Sequence, residues 1–349
     1  MGPSALGSAL LAQALFGQTV QGTVKIRDHG PSEGRYDLVF LAEGYTASEQ
    51  EKFVADVTGL TDWLLQQTPF DEFEPLVNVT AVKVLSASSG ISGPGEARST
   101  AFATHTGCVP GQPQSACVDD SLVKKVLSAA ARQADVAVVV LNTDRYAGMA
   151  GRYASVSMSA DAKGVLAHEL GHAIAGLADE YEDAYPGYPD CGADDCPEPN
   201  VSPLKSRDQV KWSDWIEAST PIPTPQGSPA VGLFEGARYK VAGLYRPVDQ
   251  CRMRHHANPF CPVCAEALGR SLWRAARLGA ASPEADLGPS TSWRLRIEEG
   301  SPCPATGCSC GSTPSGPAPW VVALAGLAML RARSPRGRRP ASVERIRPR

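Results

Sequence analysis

Histidine is scarce in this 349-residue chain, which holds six, so two of them at metal-ligand spacing stand out. Positive charge is scarce too once one block is set aside. Residues 331–349 carry eight Arg and one Glu, which leaves −11 for the rest of a chain whose total is −4. An acidic body offers no electrostatic footprint for nucleic acid. The apolar run from Trp320 to Leu330 is short of the ~20 residues that span a bilayer as a helix. The acidic stretch from Glu180 to Asn200 lacks the regularly spaced oxygen ligands of a calcium loop and reads as solvated loop. What remains is an ordinary globular composition, 43% hydrophobic, on a chain long enough to bury a large core.

Ten cysteines fall in close groups, which in an oxidising compartment suggest local disulfides. Cys108 with Cys117 and Cys191 with Cys196 are the natural pairs. Cys251, Cys261 and Cys264 form an odd-numbered group whose pairing cannot be read. Cys261-x-x-Cys264 with nearby His255 or His256 also has the spacing of a structural zinc knuckle, a reading that export disfavours. Residues 1–18 are apolar and small, with Ala12-Gln13-Ala14 suited to cleavage, and read as a secretory signal that lacks the usual basic start. The expected organisation is a signal over 1–18, one main domain over 19–285, a Cys-containing linker over 286–317 and a tail over 318–349. The expected location is exported, at the cell surface, the outer membrane or outside the cell.

Within the main domain, residues 37–45 read as a buried strand. Thr46-x-x-Glu49 is a capping box opening a helix to about Gln67, with Phe53, Val57, Leu60 and Leu64 on one face. Residues 76–85 and 134–141 read as strands and 119–132 as a helix, while 86–118 is rich in Gly, Ser and Pro and reads as loop. Residues 153–158 read as an edge strand. Such alternation predicts an α/β layer with a mostly parallel sheet. Lys211 to Trp215 is an aromatic patch, core or substrate wall, and 264–278 predicts an amphipathic helix.

The organising stretch is His168-Glu169-Leu170-Gly171-His172. Residues four apart share a helix face, so His168 and His172 can offer two imidazoles to one ion, with Glu169 beside it as general base for a metal-activated water. Leu166, Leu170 and Ile174 recur on the opposite face. Asp161 is the candidate N-cap and Gly176 the candidate left-handed stop. Gly171 is costly inside a helix, which predicts a strand or substrate backbone passing close to it. The chemistry indicated is peptide hydrolysis on one Zn2+. The competing reading is a surface binding or adhesion module that holds zinc without catalysis; retention of Glu169 argues against it, since metal binding alone does not need that carboxylate.

Several blocks resemble the IgA-specific metalloendopeptidase family, metzincin-like secreted bacterial zinc peptidases. They are Asp37–Thr46 (DLVFLAEGYT), Asn142-Thr143 with Tyr146, His168–Tyr181 (HELGHAIAGLADEY), Gly232–Tyr239 (GLFEGARY), Gly243–Pro247 (GLYRP), Met253 and Phe260–Cys264 (FCPVC). The resemblance implies a zincin catalytic domain with an active-site helix, a Met turn and a C-terminal helix, acting on a protein or peptide. In the metzincin pattern the third ligand follows the helix-ending Gly by three residues, which gives Asp179, with Glu180 the alternative. Met253 is the candidate Met turn, packing under the metal. Tyr245 and Tyr239 are candidates for holding the oxyanion, with a packed core role the competing reading of each. The end of the chain resembles a MYXO-CTERM sorting tail: Gly307-Cys308-Ser309-Cys310, a short apolar run and an Arg-rich stop, which implies processing by a sorting machinery.

Overall fold

The structure is a computed structural model that describes residues 13–15, 18–150, 153–185, 187–191 and 195–278. The sorting tail, its cysteines and most of the signal lie outside the described residues. In chain order the elements are β1 (Gln13–Leu15), β2 (Gln18–Arg27), β3 (Tyr36–Glu43), α1 (Gln50–Leu64), α2 (Phe70–Phe73), β4 (Val77–Leu85), β5 (His105–Thr106), β6 (Ala116–Cys117) and α3 (Asp120–Ala130). There follow β7 (Val136–Leu141), β8 (Gly148–Ala150), β9 (Ala154–Ser157), α4 (Ala162–Ala175), β10 (Phe234–Ala237), β11 (Lys240–Arg246) and α5 (Pro262–Leu278).

Seven strands form one sheet in the order β1-β2-β4-β3-β7-β9-β8. The four central strands run parallel, and antiparallel partners close both ends. The mixed α/β layer with a mostly parallel sheet is therefore present. β3 and β7 are buried along their whole length, as their unbroken apolar runs require of strands covered on both faces. α1 buries Phe53, Val57, Leu60 and Leu64 as its 3.6-residue period predicts. The Glu49 carboxylate accepts from the Thr46 backbone N–H at its start. Within Lys211–Trp215 the core residue is Trp212, buried with its indole N–H donating to the Gly232 carbonyl, while Trp215 is half-buried against the core.

Two strand expectations are corrected. Residues 154–157 do not form the edge; β9 lies between β7 and the three-residue β8, which is the true edge beside α4. The ten-residue β2 went unread, although Val20, Val24 and Ile26 alternate toward the core.

The loop after β4 is tightly organised. Gly44 (φ +75°) passes so close to Gly90 that an added Cβ would sit 2.3 Å from the Gly90 carbonyl oxygen. Glu43, buried at the end of β3, accepts hydrogen bonds from the Thr100 hydroxyl and the backbone N–H groups of Phe102 and Thr104 at 2.7–2.9 Å. The two disulfides expected from spacing, Cys108–Cys117 and Cys191–Cys196, are formed. Among the described residues no helix is long and apolar enough to cross a membrane. Replacing Glu43 by Ala strands buried donors at about 1–3 kcal/mol each. Urea unfolding of Glu43→Ala should show a loss of about 3 kcal/mol or more, against less than about 0.5 kcal/mol for the exposed Glu51→Ala.

Candidate metal centre

α4 carries His168, Glu169 and His172, with Leu166 and Leu170 buried beneath. Its start is less orthodox than expected. Asp161 occupies the N-cap position, but its side chain caps nothing. Its end is as expected: Gly176 turns left-handed (φ 62°, ψ 32°), and its N–H returns to the His172 carbonyl. That turn has a second effect, because it aims the Leu177 carbonyl at His172 Nδ1, 2.6 Å away. His168 Nδ1 lies 3.0 Å from the Arg252 carbonyl. A carbonyl only accepts, so both Nδ1 atoms must be the N–H donors, and each Nε2 is turned inward.

The chain then brings Asp179 back to the pair. Asp179 Oδ1 lies 3.1 Å from His168 Nε2 and 3.2 Å from His172 Nε2, and the two Nε2 atoms are 3.1 Å apart. Oδ1 makes no well-directed hydrogen bond among the described residues. Three potential ligand atoms thus form a near-equilateral triangle. A tetrahedral zinc with ligands at about 2.0–2.2 Å sets neighbouring ligand atoms roughly 3.4 Å apart, so the donor set fits such an ion in both chemistry and size.

Glu180, the alternative ligand, does not join them. It is fully buried on the other side of the strap formed by residues 177–181, where Oε1 accepts from the Asn200 amide at 3.0 Å. The acidic stretch that begins there is not simply solvated loop either. Tyr185 and Tyr188 pack on Tyr239, with ring centroids 5.6 and 4.7 Å apart.

Asp179 is oriented from behind by the β10–β11 hairpin. The turn residues Arg238 and Tyr239 both hold positive φ, 50° and 62°, a conformation usually left to Asn and Gly in such two-residue turns. It persists because the turn is tied down. Arg238 N–H donates to the Asp179 carbonyl, Tyr239 N–H to the Tyr181 carbonyl, and the Tyr239 hydroxyl to Asp179 Oδ2. Tyr239 is therefore engaged with the ligand carboxylate instead of standing free for an oxyanion. Tyr245 is buried in β11, its hydroxyl directed at Glu235, which matches the packed role that was the competing reading for it.

Sequence reasoning missed three residues that do line the site. His256 stacks edge-on to His168, centroids 4.6 Å apart, with the Tyr181 hydroxyl 3.1 Å from its Nε2 and the Tyr146 hydroxyl 3.3 Å from its Nδ1. Gly164 allows this approach, since a Cβ there would lie 2.7 Å from the His256 carbonyl oxygen. Below α4, the neighbour that excludes a side chain from Gly171 is Met253, whose sulfur would lie 2.8 Å from an added Cβ; no strand or substrate backbone is needed. Met253 is fully buried, and its carbonyl accepts the Glu180 N–H.

The electrostatics follow from burial and from this crowding. Burial alone would raise Asp179, but the two imidazoles outweigh it and hold the carboxyl far below its usual range. Burial alone would lower His172; the Asp179 charge outweighs it and holds the imidazolium up to about 9. Burial raises Glu169, and burial with the neighbouring His168 pushes His256 down to about 4.

The family described as IgA peptidase M64 matches this chain over residues 24–229 and 226–272. The chain belongs to that family. Membership of the IgA peptidase M64 family makes it a peptidase, of a metallopeptidase class, and its substrate a protein or peptide. No curated protein matches the sequence.

Two outcomes follow for the metal-free protein. The Tyr239 hydroxyl donates to Asp179, the candidate ligand, so Tyr239→Phe should weaken metal binding by about 10–100-fold in competition with a chromophoric chelator. His172 is protonated below about 9, and an entering cation must displace that proton. Apparent affinity should therefore rise about tenfold per pH unit as pH climbs toward 9, then level; a flat profile would contradict the assignment of the proton to the ligand set.

Proposed function

We propose that this chain is an exported zinc-dependent endopeptidase of metzincin-like build, with His168, His172 and Asp179 as the metal ligands and Glu169 as the general base. The observation that carries the reading is the pairing of two imidazole nitrogens and a carboxylate oxygen within 3.1–3.2 Å of one another with a buried carboxylate, Glu169, whose Oε2 finds no hydrogen-bond partner among the described residues. A binding module would gain nothing from keeping such a group, since an unpaired buried carboxylate costs stability.

A zinc ion in this triangle supplies a Lewis acid and lowers the pKa of water. Glu169 takes the proton of the attacking water and returns it to the leaving amine. Burial, which favours the protonated form of Glu169, suits both halves of that transfer. An extended substrate adds along the edge strand β8, which Gly148 lets pack closely on α4 and β9, since an added Cβ would lie 3.0 Å from Val165 Cγ1 and 3.1 Å from the Ser155 carbonyl oxygen, with Glu169 Oε1 4.0 Å away. The oxyanion falls to Tyr146 or Tyr181 in place of Tyr239 and Tyr245. A neutral imidazole has one donor and one acceptor, so His256 receives the proton of only one of these hydroxyls and leaves the other free to donate. Tyr146 is 44% exposed, as a residue that meets substrate must be. Met253 packs under the ligand helix as the Met turn. The two disulfides support export, and the sorting-type tail supports a place at the cell surface.

The test is hydrolysis of unfolded casein by the full chain. Activity should vanish with a chelator and return with zinc. Glu169→Gln should lower kcat/KM by about 10²–10⁴-fold while the zinc content stays that of the wild type. A fully active Glu169→Gln protein would refute the mechanism.

A further inference from the structure

Cys251, Cys261 and Cys264 are unpaired and buried, with exposures of 0%, 5% and 0%. Their sulfur atoms all lie within 4.8 Å of one another. The Cys251 and Cys264 sulfurs are 3.7 Å apart, too far for a disulfide and close to the roughly 3.8 Å edge of a tetrahedron of sulfurs bound at about 2.3 Å. Backbone N–H groups donate into the cluster, from Cys261 to the Cys251 sulfur at 3.3 Å and from Cys264 to the Cys261 sulfur at 3.4 Å. Cys261 and Cys264 also sit at the N-terminus of the seventeen-residue α5, where the helix dipole favours thiolate over thiol.

An independent observation points to a cation. Glu180, 0% exposed, aims its carboxylate at the same cluster, with Oε1 3.8 Å from the Cys264 sulfur. Its Oε2 has no hydrogen-bond partner among the described residues. The Arg246 charge favours the ionised carboxylate, but its hydrogen bonds go to Glu182, Gln226, Asp249 and backbone carbonyls, so Oε2 stays open to a cation held at the thiols.

We propose that Cys251, Cys261, Cys264 and Glu180 hold a second, structural zinc ion, separate from the histidine site. The spacing expectation of a knuckle completed by His255 or His256 is thereby replaced. His255 is exposed and His256 is engaged by tyrosines in the site wall, while Cys251 and Glu180 supply the missing ligands. The thiols give up their protons to solvent as they ligate. The ion ties together three segments that frame the catalytic site: Glu180 directly follows Asp179, Cys251 precedes Met253 by two residues, and the remaining ligands begin α5. The set is closed, with four protein ligands, which suits a structural role.

The experiment is metal analysis with X-ray absorption at the zinc edge on the full chain, purified without chelator, as wild type and as His168→Ala/His172→Ala. Two zinc ions per wild-type chain are expected. One should remain in the double variant, with a sulfur-dominated shell at about 2.3 Å. The wild-type spectrum alone should already require sulfur in the average shell, which covers the case of a double variant that fails to fold. A sulfur-ligated ion in a chain whose histidines bind none would count against the proposed function and support this inference. A wild-type shell of nitrogen and oxygen only, iron in place of zinc, or a disulfide joining any two of these three cysteines in non-reducing peptide mapping would overturn it.

Discussion

Everything in the site depends on two imidazoles being turned the same way. The Leu177 and Arg252 carbonyls accept from His172 and His168 at Nδ1, and that leaves both Nε2 atoms facing Asp179 Oδ1 across 3.1–3.2 Å. Such a convergence of acceptors is unfavourable unless a proton or a metal cation sits among them. The surrounding fold holds each group from a different side: the Arg252 carbonyl orients His168, the Leu177 carbonyl after the Gly176 turn orients His172, and the β10–β11 hairpin pins Asp179. The hairpin keeps Arg238 and Tyr239 in left-handed conformations, a local strain of the kind that collects at functional sites.

The packing below α4 serves the same end. Gly171 and Gly164 remove side chains where Met253 and the His256 backbone press against the helix. The segment from Cys251 to His256 can then touch both His168 and the Glu180 strap. One short segment thereby orients a histidine ligand, forms the floor of the site and supplies part of its wall. The cysteine cluster lies at the root of this segment, where a bound ion would fix it to α5.

Much of this was legible in the sequence for physical reasons that can be named. A four-residue histidine spacing means one helix face whatever the tertiary context, and the runs in β3 and β7 are apolar because both faces are covered. The Gly176 stop carried its own signal in a residue free of Cβ strain. The family spacing after Gly176 favoured Asp179 over Glu180, but the hairpin contacts that turn Asp179 toward the histidines carry no local signal. The same dependence hid the role of Tyr239, set by a turn conformation that its residue type does not advertise. The edge strand is not legible in the sequence because the three residues of β8 carry no periodicity, whereas the alternation of Val20, Val24 and Ile26 in β2 is a legible signal. The neighbour of Gly171 was read as backbone, although the crowding atom comes from a methionine some eighty residues away, information that no local pattern holds.

The central claim is that the triangle of His168 Nε2, His172 Nε2 and Asp179 Oδ1 is built for a cation. The most direct measurement is anomalous diffraction at the zinc edge from crystals of the full chain grown with zinc. The account expects an anomalous peak within bonding distance of all three atoms, at about 2.0–2.2 Å, with Glu180 outside that shell. Fully occupied zinc elsewhere with none at the triangle, or zinc bound by the histidines with Glu180 in the place of Asp179, would contradict it.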